Sequence, residues 1–228
     1  MGLTLAERIA DVQERIVRAA ARSGRSAADV TLIAVSKTVE RPVVDDAYAL
    51  GLRDFGENRV LDCIDKYASP LPADARLHLI GQLQTNKAKV AVELFDVIHS
   101  VDRTSLVTAL ERHASARERQ LGVLLQVNVA GEEQKAGCSP YEALSLAHEL
   151  MGAASLRLRG LMTMAPLVDD AEDVRAVFRD LRALRDQIAT VIGKELPWLS
   201  MGMTNDFEIA IEEGATHVRV GRAIFEGS

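Results

Sequence analysis

The stretch TLIAVSKTVERPVVDDAYALGLRDFGEN, Thr31 to Asn58, holds the unit that sets the fold class. An apolar run at Leu32–Val35 is followed by a helical pattern at Pro42–Leu50 and a second strand-like run at Arg53–Phe55. Pro42 suits the first turn of a helix, where a missing N–H is no loss. A near-continuous apolar strand, a helix and another strand together indicate a parallel sheet covered by helices. The same alternation continues through apolar runs at Leu77–Ile80, Val97–Ser100, Val123–Val129, Leu158–Thr163, Trp198–Ser200 and Val218–Val220. Helical patterns lie between them at Asn58–Tyr67, Thr104–Arg119, Tyr141–Met151 and Glu172–Val191, with Asp102 or Thr104 as caps for the helix beginning near Thr104. Ahead of the first strand, Leu5, Ile9, Val12, Ile16 and Ala20 recur at helical spacing.

Eight β-then-α units is the number that closes a (β/α)8 TIM barrel; an open doubly wound sheet is the alternative. No Gly/Ser-rich or Pro-rich linker divides the chain, so residues 1–228 read as a single domain with an extra N-terminal helix. The N-terminal segment is amphipathic and charged where a signal peptide would be apolar, and no long apolar run occurs, which points to a cytoplasmic protein with no membrane partner. Cys63 and Cys138 are far apart and lack metal-ligand spacing, so neither a disulfide framework nor a metal site is expected. Lys plus Arg is 27 and Asp plus Glu 33, a net charge of -6 without a block of one sign, which argues against nucleic acid as a partner.

In a barrel, chemistry sits at the C-terminal ends of the strands. The first strand ends on Ser36-Lys37 with no turn residue before them. A lysine at a buried strand end pays desolvation of its charged form, which leaves more neutral amine to attack a carbonyl. A lysine that snorkels outward, or pairs with Glu57 or Asp54, is the bland reading. The last two strands end on SMGMTND (Ser200–Asp206) and RVGR (Arg219–Arg222). Barrels commonly build phosphate sites there, and Gly202 and Gly221 let backbone approach an anion. Thr204 or Asn205 is placed to cap a helix starting near Asp206, and Arg222 and Ala223 open a short final helix. Lysine plus phosphate cup admits a sugar-phosphate aldolase or a pyridoxal phosphate site. Arg219 lies two residues before Gly221 and shares its strand face, pointing into the mouth. Opposite a pyridine nitrogen, a guanidinium that only donates hydrogen bonds keeps that nitrogen unprotonated and weakens the ring as an electron sink. A salt bridge to a neighbouring strand is the alternative for Arg219.

Six motifs in order along nearly the whole chain, AVSKT (Ala34–Thr38), FGENRV (Phe55–Val60), LHLIGQLQTNK (Leu77–Lys87), VNVAGEEQKAG (Val127–Gly137), GLMTMAP (Gly160–Pro166) and SMGMTNDFEIAIEEGATHVRVGRAIF (Ser200–Phe225), resemble the YggS/PROSC-like pyridoxal phosphate homeostasis proteins. The resemblance implies a barrel of the alanine racemase N-terminal domain type that holds pyridoxal 5'-phosphate (PLP) as a Schiff base on Lys37. It implies that Ser200, Gly202 and the backbone around Gly221 and Arg222 bind the phosphate, that Arg219 faces the pyridine nitrogen, and that Asn58 lines the site. His78, Asn128, Lys135 and Met201 are weaker candidates, and Lys87 and Lys89 are further amines near the mouth. Departures from the family pattern at Leu77, Leu79, Leu61, Asp62 and Glu226 touch none of the lysine, the arginine or the cup.

The expected role is a non-catalytic PLP carrier in vitamin B6 balance that passes cofactor transiently to apo-enzymes. An amino-acid racemase is the alternative. Two-sided proton transfer needs a second base opposite the lysine, and Tyr48, Tyr67 and Tyr141 all fall inside expected helices. With no residues left over for a second domain, a monomer is expected.

Overall fold

The computed structural model describes residues 2–131 and 136–226. Eight parallel strands, β1 (Thr31–Val35), β2 (Asp54–Glu57), β3 (Arg76–Leu79), β4 (Val97–Val101), β5 (Leu121–Gln126), β6 (Leu156–Met162), β7 (Trp198–Ser200) and β8 (His217–Val220), form a closed barrel in sequence order. The closing seam pairs Thr31 with His217 and Ile33 with Arg219. Around the barrel run α1 (Leu5–Arg22), α2 (Arg41–Ala49), α3 (Cys63–Lys66), α4 (Ala88–Leu94), α5 (Thr104–Ser115), α6 (Pro140–Gly152), α7 (Arg175–Ile192), α8 (Phe207–Glu212) and α9 (Arg222–Phe225).

Strand alternation divides the buried residues between two environments. The larger cluster, which includes Ala34, Phe55, Leu79, Ile98 and Leu125 with the inner faces of the helices, packs between sheet and helices. A second cluster of Val97, Leu124 and Met162, with Met164 and Trp198 against it, lies inside the barrel. Polar residues share that interior: Asp54, His78, His99, Ser200, His217 and Arg219 are all buried. His217 stacks on Trp198 with ring centroids 4.2 Å apart, and its Nδ1 is 2.9 Å from the Thr216 hydroxyl. Both cysteines are buried and free, and burial pushes each thiol up to about 12.

The extra helix α1 begins with a capping box between Thr4 and Glu7 and buries Ile9, Val12, Ile16, Ala19 and Ala20. It lies against α8 and α9, where Arg15 makes two hydrogen bonds to Glu208 and the Arg8 guanidinium donates to the Ile224 carbonyl at 2.6 Å. The helix that closes the chain is thereby tied to the one that opens it.

Three local expectations change. The helical pattern at Asn58–Tyr67 yields only the four residues of α3. One cause is the tight seat of Asn58 on Gly81, where a Cβ would come within 2.1 Å of the Asn58 carbonyl oxygen. The fifth strand ends at Gln126, because Val127 instead bridges to Cys138 as the chain folds back. Arg103, without a side-chain cap, precedes α5 where Asp102 or Thr104 was expected.

Gly160 on β6 approaches β7 so closely that a Cβ would lie 1.8 Å from the Trp198 carbonyl oxygen. Gly160→Ala is expected to destabilise the barrel by about 3 kcal/mol through forced strand separation, measured by urea unfolding. A second expectation concerns acid. Burial, with His78 beside it, pushes the His217 imidazole down to about 3, so it is neutral in the fold. The unfolded chain takes up that proton near pH ~6.5. Stability is therefore full above that pH and falls as the pH drops toward the folded value, at about 1 kcal/mol per pH unit for this group. Urea unfolding of His217→Gln at a series of pH values should show a shallower acid slope than the native chain.

Candidate cofactor site

β1 delivers its last residues into a tightly fixed turn. Ser36 is fully buried; its N–H donates to the Gly56 carbonyl at 3.0 Å and its hydroxyl to Glu57 Oε1 at 2.8 Å. The same carboxylate oxygen receives Lys66 Nζ and the Tyr67 hydroxyl, each at 2.8 Å, while Lys66 Nζ also donates to the Ser36 carbonyl at 2.7 Å. Burial, followed by the Glu57 charge, raises the Tyr67 phenol and keeps it a donor. Glu57 thus gathers the residues on either side of the turn and leaves Lys37 projecting from it.

Lys37 is exposed and lines a cleft of about 850 Å³ at the C-terminal end of the barrel. The burial expected of it at a strand end is not found, because β1 stops at Val35 and Lys37 sits in the turn beyond. The pairings considered for it belong to others: Glu57 binds Lys66, and Asp54 binds His78 and Arg76. Among the described residues no hydrogen bond or ion pair engages the Lys37 amine.

Asn58, Arg219, Gly221 and Arg222 line the same cavity, with Thr204 and Asn205 from the turn after β7. Gly221 precedes α9 and lies so near β1 that a Cβ would meet the Val35 carbonyl oxygen at 3.1 Å. Its bare backbone is what permits the strand ends of β8 and β1 to meet under the cavity floor. Gly202 has φ +92, and a Cβ there would reach the Ala210 Cβ at 2.6 Å, so glycine is required for α8 to pack. The cap of α8 is Asp206, in place of Thr204 or Asn205. Its carboxylate turns back to accept the Met203 N–H at 2.5 Å, and burial raises its pKa.

Arg219 is the charged residue of the floor. Its guanidinium is buried, donating from Nη1 to Ser200 Oγ at 2.7 Å and from Nη2 to the Thr163 carbonyl at 2.9 Å. Burial lowers its pKa to about 10, opposed by the charge of Asp206, so it remains a cation at neutral pH. No carboxylate salt-bridges it among the described residues, which disposes of the ion-pair alternative. A guanidinium has five N–H donors, so capacity remains for an acceptor in the cavity.

Other sequence candidates fall elsewhere. Ser200 and Gly202 are buried and do not line the cavity; the Ser200 hydroxyl is engaged by Arg219 and, at 2.9 Å, by His99 Nδ1. His78 lies inside the barrel, and Met201 packs in the cluster between sheet and helices. Lys87 and Lys89 are on the short helical turn Thr85–Lys87 and on α4, and neither lines the cavity. Asn128 is outside its wall as well, with its N–H on the Cys138 carbonyl. Lys135 lies outside the described residues. Sequence reasoning puts Met164 at the end of the sixth strand but missed the rest of that wall, Ala165–Asp169, and it missed His99 and Asp54 as partners within the interior.

The family model described as alanine racemase, N-terminal domain, matches residues 10–228. A pyridoxal phosphate homeostasis protein of Aquifex aeolicus is 42% identical over 219 residues, covering 96% of each chain. One from Pseudomonas aeruginosa is 42% identical over 222 residues, covering 97% of this chain and 95% of its own. Among solved structures, PipY of Synechococcus elongatus PCC7942 with PLP bound is 38% identical, with a TM-score of 0.84 over 97% of this chain and 100% of its own. A lysine turn, a donor-rich floor and a glycine-lined strand end, on this barrel and with relatives of this identity, place the chain in the alanine racemase N-terminal domain family, among the pyridoxal phosphate homeostasis proteins.

Proposed function

We propose that the cavity holds PLP as a Schiff base on Lys37 and that the protein stores and supplies the cofactor. The observation that carries this reading is the pairing, in one cavity, of an accessible amine without a partner and a buried guanidinium with donors to spare. Lys37 nitrogen bonds to the aldehyde carbon, and the carbonyl oxygen leaves as water. Backbone N–H groups near Gly221 and Arg222, with Thr204 opposite, suit the phosphate. Arg219 suits the unprotonated pyridine nitrogen, because it donates and does not give up its proton. Ser200 then acts on the cofactor through Arg219. When bound, PLP supplies an electron sink, and a donor-only partner at its nitrogen keeps that sink weak.

What surrounds the lysine supports holding without turnover. Tyr67 is fixed on Glu57, Tyr48 on Asp74, and Tyr141 is 94% exposed, so none of the three tyrosines lines the cavity as a second base. The names of the relatives support a part in cofactor balance. Transient transfer to apo-enzymes by a cytoplasmic monomer of one barrel domain belongs to the same proposal. Among the described residues no helix is long and apolar enough to cross a membrane.

The purified chain given PLP is expected to show a band near ~420 nm, and borohydride should trap the cofactor on Lys37. Lys37→Ala should lose both while retaining weaker, phosphate-anchored binding. Absence of the band, or trapping on another lysine, would refute the assignment; alanine racemisation at about 1 per second or faster would refute the carrier role. Arg219→Glu, which offers an acceptor to the ring nitrogen and favours its protonation, should move the visible band, and an unchanged spectrum would separate Arg219 from the ring.

A further inference from the structure

Six groups cross the barrel interior in one line. Asp54 Oδ1 lies 3.0 Å from His78 Nε2, His78 Nδ1 lies 2.9 Å from His99 Nε2, and His99 Nδ1 lies 2.9 Å from Ser200 Oγ. Arg219 completes it, donating to Ser200 Oγ at 2.7 Å and to the Thr163 carbonyl at 2.9 Å. Asp54 starts β2, at the far end of the barrel from the cavity, and the half-exposed Arg76 approaches it at 3.4 Å. Asp54, His78 and His99 are absent from the cavity wall.

The direction of every bond follows from the two ends. Arg219 can only donate, so Ser200 accepts from it and has one proton left to give. Ionised Asp54 can only accept, so His78 carries its proton on Nε2. A neutral His78 must then accept at Nδ1, which puts the His99 proton on Nε2. His99 Nδ1 is left as an acceptor, and it receives the Ser200 hydroxyl. With His78 neutral, both ends dictate one arrangement, and each donor and acceptor in the line is used. Reversing His99 would leave the Ser200 proton without an acceptor in the line, a costly loss for a group that is fully buried.

We propose that Asp54, His78, His99 and Ser200 are positioning residues for Arg219, forming a one-way hydrogen-bond chain that ties the cation under the cofactor cavity to a carboxylate at the opposite end of the barrel. The proposal rests on the reading of Arg219 as the residue that faces the cofactor ring. Linked bonds of one direction polarise one another, so the chain holds the guanidinium in one orientation and supplies it with a distant counter-charge. The surroundings of His99 agree with a neutral imidazole. His99 is wholly buried and its pKa lies well below the ordinary histidine value, first through burial and then through His78, His217 and Arg219. Burial alone would raise the Asp54 carboxyl, yet the His78 hydrogen bond, with Arg76 nearby, holds it below its ordinary value.

The first test needs no cofactor. NMR of the full chain with isotope-labelled histidine, at about pH 7, should show His78 and His99 both neutral and both protonated on Nε2. An Nδ1–H form or an imidazolium at either ring would overturn the chain. The second test reads PLP dissociation by absorbance. His99→Phe, which cuts the line, is expected to raise the Kd about 10-fold, and Asp54→Asn, which keeps an acceptor but loses the charge, about 2- to 3-fold. If His99→Phe does not fold, Asp54→Asn decides alone. An unchanged Kd in variants that keep the native circular dichroism would reduce the line to packing and overturn the positioning role. Failure of the Lys37 assignment would leave the histidine NMR result standing, so the two ideas fail separately.

Discussion

A guanidinium buried in the middle of a barrel, with no carboxylate against it, is the constraint to which the interior responds. Barrels of this kind are ordinarily filled by branched aliphatic side chains. Here Val97, Leu124 and Met162 supply a small apolar cluster, and beside them the interior holds the imidazoles of His78, His99 and His217, the Ser200 hydroxyl and the Asp54 carboxylate. A buried cation needs acceptors, and unpaired it would cost far more than the barrel can offset. Ser200 and the Thr163 carbonyl provide neutral ones, so Arg219 stays charged without surrendering its donors to an anion. Asp206 is near enough to raise the Arg219 pKa, but its carboxylate is turned to the Met203 N–H.

The elements around the cavity are braced from outside. The helix that follows the turn after β7, α8, and the last helix, α9, both rest on α1, whose apolar stripe contributes most of the adhesion through buried area. The ion pairs Arg15–Glu208 and Arg22–Glu212 are partly exposed and are individually small contributions. With Arg8 on the Ile224 carbonyl and Arg25 on the Ile211 and Ala215 carbonyls, they fasten α8 and α9 to the N-terminal part of the chain. Gly221 caps α9 and Gly202 lies in the turn that leads into α8, so α1 supports the cavity wall from a distance.

Much of this was legible in the sequence. The strand count, the barrel and the shared face of Arg219 and Gly221 follow from period-two alternation and β/α order, which are local signals. Lys37, Asn58, Gly221 and Arg222 were placed at the mouth by the same logic. The exposure of Lys37 was not, because an apolar run does not mark the residue at which a strand yields to a turn. Ser200 was legible as a strand end but not as an interior partner of His99, 101 residues away. The links from His78 to His99 and from Asp54 to His78 span 21 and 24 residues on adjoining strands and carry no spacing pattern. Only closure of the barrel brings those side chains into line.

The two buried cysteines carry a consequence for handling an aldehyde. Thiolates are the nucleophiles that compete with amines for electrophilic carbon, and both thiols here are out of solvent with ionisation pushed up to about 12. Lys66, the amine nearest the lysine turn in the hydrogen-bond network, is held by Glu57 and the Ser36 carbonyl. Lys37 is the one lysine in the cavity wall among the described residues. On the proposed reading, a reactive carbonyl entering the mouth would meet Lys37 with its rivals already silenced by burial or pairing, so that chemoselectivity would come from the surroundings.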